Sequence, residues 1–97
     1  MFGWFDTKEC VRFGRELAQE ILRTLQASTA KREGKFTAKA ERALVRLDGK
    51  VRTFKTRERM NFYKRSKLAN EFLWTLRDGG CSPEYAKELT EWLTFRL

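Results

Sequence analysis

The sequence predicts an all-α fold, a small bundle of three or four helices forming one domain over residues 1–97, on three observations. Apolar residues recur at three- and four-residue spacing along most of the chain, the period of one helix face. β-branched runs are scarce, and the single proline stands at position 83. Capping residues also interrupt the apolar pattern where helices should begin and end. The chain is long enough for one hydrophobic core with little to spare, and with three Trp and eight Phe it is too aromatic for a disordered chain.

The first helix is expected over 7–27. Asp6 stands as its cap, Glu9 completes a capping box, and Phe5 staples onto Cys10. Cys10, Phe13, Leu17, Ile21 and Leu25 then recur on one face, and Val11, Ala18 and Leu22 widen that face. So broad a stripe implies two neighbouring helices rather than one. Gly14 lies within it, at a cost of about 1 kcal/mol relative to Ala. Close approach of a crossing helix is the expected return.

Residues 28–36, rich in small and charged side chains, read as a flexible loop. Thr37 then caps a long central segment over 38–77. Its stripe runs through Ala40, Leu44, Leu47, Val51 and Phe54 and resumes through Phe62, Ala69, Phe72 and Leu76. Asp48-Gly49 is also a hairpin signal. A two-residue turn there would set Leu47 against Lys50 and Val45 against Arg52, however, so the helical reading is preferred. Unbroken, the segment would extend about 60 Å, too long for a domain of this size, whose radius of gyration should be near 13 Å. It therefore breaks, at Gly49 or across 55–59, or a second subunit covers the overhang. Gly79 is the expected left-handed terminator. Ser82 and Pro83 open a last helix over 83–96, with Tyr85, Ala86, Leu89, Trp92 and Leu93 inward.

Charge is the main functional signal. Fourteen of the twenty-one Lys and Arg residues fall between Lys31 and Lys67, against four acids there, while seven cations face nine acids in the rest of the chain. The net charge of +8 is thus a property of the middle third. Such a field favours a polyanion, because bound cations release the counterions condensed on phosphates. Lys39, Arg42, Arg46, Lys50, Arg57 and Lys64 share one helix flank, with Lys35 leading in; Lys67 and Tyr63 extend the set, Tyr63 as a ring on which an unpaired base could stack. Arg52, Lys55 and Arg59 lie on the other flank. The bland alternative is a solvated face, but few matching acids stand four residues away to balance it.

A second reading is a protein-interaction module acting as a homodimer. Glu58, Asn61, Phe62 and Arg65 interrupt or line the apolar stripe. In an antiparallel twofold seam, Glu58 would meet Arg65 of a second copy and Asn61 would set the register. The same residues could equally mark an exposed stretch of a monomer.

Catalysis finds no support. Histidine is absent, removing the commonest general acid–base and metal ligand. Glu16, Glu20, Glu84, Glu88 and Glu91 read as solvated acids on polar faces, and Gly34-Lys35 lacks the remainder of a phosphate loop. Cys10 and Cys81 are far apart without metal spacing, so Cys81 reads as a small hydrophobe stapling onto Ala86, and no cofactor or metal is expected. A reducing cytoplasm suits them. No apolar run is long enough to span a membrane, and the aromatic start through Phe2, Trp4 and Phe5 lacks the basic residues of a signal peptide. Phe95, on the polar side of the last helix, is a candidate contact point.

Overall fold

The helical period resolves into four helices: α1 Lys8–Gln26, α2 Ala38–Arg57, α3 Phe62–Asp78 and α4 Pro83–Arg96. The structure, a computed structural model, describes residues 7–26 and 38–97, and no strand occurs among them. The aromatic start, the Asp6 cap with its Phe5 staple, the 28–36 loop with Lys35, the Thr37 cap, and the side chains of Leu25, Lys39 and Ala40 lie outside the described residues.

The predicted central segment is two helices. Gly49 is not the break: it lies inside α2, where a Cβ would meet nothing within 4 Å. The chain leaves the helix after Arg57 and re-enters it at Phe62. Asn61 accounts for the restart. It takes an extended backbone, and its Oδ1 accepts the Lys64 backbone N–H at 2.8 Å, an N-cap that satisfies one of the orphan donors of α3. With the segment folded back, the longest dimension is 45 Å and the radius of gyration 13.1 Å. The overhang that would have required a second subunit does not exist.

The break also resets the helical phase. Leu44, Leu47, Val51 and Phe54 are buried as their spacing predicts. Beyond Asn61 the inward line is Lys64, Leu68, Phe72 and Leu76. Phe62, expected to resume the stripe, is instead 80% exposed.

α1 packs against both α2 and α3, as its wide apolar face requires. Its approach to α3 is set by Gly14, where a Cβ would lie 2.5 Å from the Leu68 carbonyl oxygen. Only hydrogen fits there. On the other side of α1, the rings of Phe13 and Phe54 stack with centroids 4.1 Å apart. α3 and α4 form a hairpin closed by a Schellman turn, in which Cys81 N–H donates to Leu76 O and Gly80 N–H to Arg77 O, both at 3.0 Å. The left-handed residue is Gly80, with φ of 94°, rather than Gly79. A Cβ on Gly79 would meet the end of the Leu22 side chain, which would have to turn aside. Ser82 caps α4 by accepting from Tyr85 N–H at 3.2 Å, with Pro83 in the first turn. Tyr85, Ala86, Leu89 and Leu93 are buried, Trp92 packs beside them, and Cys81 is buried as a small hydrophobe would be.

Candidate nucleic-acid interface

α2 presents two different flanks because Leu44, Leu47, Val51 and Phe54 fix its inward direction. One flank holds Arg42, Arg46, Lys50 and Arg57, all exposed. At about 1.5 Å per residue these four span roughly 22 Å. The opposite flank is tied to α4: Asp48 accepts from Arg96 Nε at 3.0 Å and pairs with Arg52 at 3.1 Å, while Lys55 Nζ donates to the Arg96 carbonyl at 2.9 Å. Arg52 and Lys55 thus serve the α2–α4 junction.

Among the described residues one acid pairs with the exposed flank, Glu20 of α1, which meets Lys50 and, at 3.4 Å, Arg46. Glu20 was expected to be solvated, but its side chain is only 14% exposed, whereas those of Arg46 and Lys50 are 57% and 55% exposed. The acid lies beneath and the cations outside. Burial works to raise the Glu20 pKa, but hydrogen bonds and charge from Lys50 and then Arg46 outweigh it and hold the carboxyl below its ordinary value. Four cations against one carboxylate leave this flank positive. Lys and Arg carry three and five donors, so Arg46 and Lys50 can keep Glu20 and still present N–H groups outward. A groove of about 220 Å³ beside them is lined by Phe13, Leu17, Glu16, Glu20, Arg23 and Lys50. Its two carboxylates disfavour a phosphate, so the crest of the flank is the better anion surface.

Three predicted members do not join this row: Lys64 is withdrawn, and Tyr63 and Lys67 are elsewhere. Lys64 is 4% exposed; its Nζ donates to the Arg59 carbonyl at 3.2 Å and stands 3.6 Å from Glu58. It faces inward because Asn61 sets where α3 begins. Tyr63 and Lys67 are on the outer face of α3, with Lys67 Nζ 5.7 Å from the Tyr63 ring centre. Their helix meets the other flank of α1, where Arg15 pairs with Glu71 at 3.0 Å, so α1 stands between them and the α2 row. On the same outer face the half-exposed Trp74 lies under Arg77 at 4.9 Å. Sequence reasoning passed over this second aromatic–cation pair, although Tyr63, Lys67 and Trp74 recur at helical spacing.

The antiparallel seam also changes. Glu58 is engaged by Lys64 of its own chain, and Asn61 is a helix cap. Neither is left to pair across a twofold in the manner expected. Phe62 and Arg65 remain at the surface or partly so.

The chain matches no protein-family model, no curated protein and no solved structure. Among the described residues no group of three or more His, Cys, Asp or Glu could hold a metal. No helix there is long and apolar enough to cross a membrane. Tyr85 is no base near neutrality, since burial, with Cys81 and Glu88 adding to it, pushes its phenol up to about 12.

Proposed function

We propose that this protein is a non-enzymatic binding module that docks the phosphate backbone of a nucleic acid along the exposed flank of α2. One observation carries the reading: Arg42, Arg46, Lys50 and Arg57 stand exposed in a row, and among the described residues the only acid paired with them is the largely covered Glu20. The helix fixes these charges four, four and seven residues apart along one flank, and a row of this length suits a repeating polyanion better than a single small anion. The aromatic–cation strip of Tyr63, Lys67, Trp74 and Arg77 favours contact with unpaired bases on α3, because stacking on aromatic rings tolerates any base. Two buried cysteines that form no disulfide with each other suit a reducing cytoplasm.

Fluorescence anisotropy of labelled duplex and single-stranded oligonucleotides across a salt series tests this. Engagement of four phosphates gives a log–log salt slope of about −3.6 on duplex and about −2.8 on single strands. The double variant Arg46→Ala/Lys50→Ala should reduce the duplex slope by about 2. Negligible binding at low salt removes the proposal.

A further inference from the structure

The end of the bundle where α3 starts and α4 finishes carries the most exposed large apolar side chains of the described residues, Phe62 at 80% and Phe95 at 89%. A concavity of about 660 Å³ there is lined by Arg65, Glu91, Thr94, Phe95 and Leu97. Phe62 is one turn before Arg65 on the same helix. The Nε of Arg65 is covered yet has no hydrogen-bond partner. Buried donors are normally satisfied, so one that is not calls for a cause. Arg65 and Glu91 line the same concavity, but no ion pair joins either of them to any described residue. By contrast, the acids at the other helix junctions, Glu20, Asp48, Glu58 and Glu71, are all paired.

We infer that this face binds a second copy of the chain about a twofold axis. An isologous interface must be complementary to itself. This patch is: it offers one cation, one anion and Phe95 around a concavity, with Phe62 exposed one turn before Arg65, so a twofold can set Arg65 opposite Glu91 of the second copy and bury the Phe95 side chains in the facing concavities. The opposite charges cancel locally, which lets two chains of net charge +8 approach here. A nucleic acid would meet Glu91 and bare phenyl rings, a poor match for phosphate. The face shares no residue with the α2 flank and stands independently of the nucleic-acid reading. It replaces the Glu58–Arg65 seam with an Arg65–Glu91 one.

Sedimentation equilibrium of the 97-residue chain, free of nucleic acid, tests the inference at concentrations from about 10 μM to about 1 mM, the range of weak self-association. The wild type should populate a dimer. Phe95→Ser and Phe62→Ser, at exposed positions where circular dichroism should show the fold retained, should each weaken dimerisation by about tenfold or more. Glu91→Arg and Arg65→Glu should each weaken it, and the double variant Arg65→Glu/Glu91→Arg should restore it. A monomer at the highest concentration overturns the inference, as does a dimer whose affinity ignores Phe95→Ser and Glu91→Arg.

Discussion

Gly14 of α1 and the Leu68 carbonyl of α3 are so closely apposed that a Cβ on Gly14 would stand 2.5 Å from the Leu68 oxygen. The obstacle is backbone, which cannot rotate aside as a side chain would. Gly14→Ala should gain about 0.5–1 kcal/mol from helix propensity and lose more by forcing the two helices apart. The expected net destabilisation is about 2 kcal/mol, a drop in Tm on the order of 10 °C for a domain of this size. Gly49→Ala is the contrast, since open space surrounds that position; it should stabilise by about 0.5–1 kcal/mol. Thermal melts followed by circular dichroism compare the two. Equal behaviour of both variants would contradict the close approach.

Glu20 couples α1 to α2 in a pH-dependent way. Its pKa is lowered in the folded chain, so the folded state takes up a proton less readily than the unfolded one. The stabilisation is present above the unfolded carboxyl pKa of about 4.3 and disappears as pH falls through the lower folded value. Glu20→Gln should cost about 0.5–1 kcal/mol at neutral pH. Melting both proteins from neutral pH into acid should show that gap hold to about pH 5 and then close. A gap unchanged in strong acid would mean that the carboxylate charge is not what joins the helices.

Lys64 separates the charges that can serve a ligand from those that serve the fold. Lys64→Met keeps the aliphatic stem and deletes only the charge held near Glu58 and the Arg59 carbonyl. Stability should change by no more than about 1 kcal/mol, and the salt slope of oligonucleotide binding should stay at the wild-type value. Arg46→Ala/Lys50→Ala, by comparison, should flatten it. If Lys64→Met flattened the slope as well, the inward placement of Lys64 would be wrong.

The breaks between helices rest on a few polar atoms. Asn61→Ala and Ser82→Ala each delete an N-cap bond and should cost about 1 kcal/mol apiece. Gly80→Ala should cost about 1–2 kcal/mol, because its φ of 94° is unfavourable for any residue with a Cβ. Urea titrations resolve losses of this size. A neutral Asn61→Ala would leave the α2–α3 break without its explanation.

Much of the fold was legible because its signals are local. Cys10, Leu17 and Ile21, or Tyr85, Leu89 and Leu93, declare a buried face by spacing alone, and Ser82-Pro83 declares a helix start. The candidate site was less legible. The α2 row of Arg42, Arg46 and Lys50 followed from helical phase, but Lys64 did not, because the break turns the start of α3 enough to carry Lys64 inward and Phe62 outward, while Phe72 and Leu76 stay buried as expected. Glu20 resembled any solvated acid on a polar face; its partners come from another helix, 26 and 30 residues away. Trp74 and Arg77 carried a readable signal, the repeat with Tyr63 and Lys67, that the focus on net charge obscured.

By itself the sequence determined an all-α chain, where its charge is concentrated, and most of the residues of α1, α2 and α4 that turn inward, since periodicity and caps act within one helix. Tertiary structure decided how α1 rests on α3 at Gly14, that Glu20 underlies Arg46 and Lys50, and that Lys64 is withdrawn while Phe62 and Phe95 stand exposed. Those outcomes depend on the rotation and crossing of packed helices. They are set by the fit of whole surfaces, a non-local property that no single segment of the chain contains.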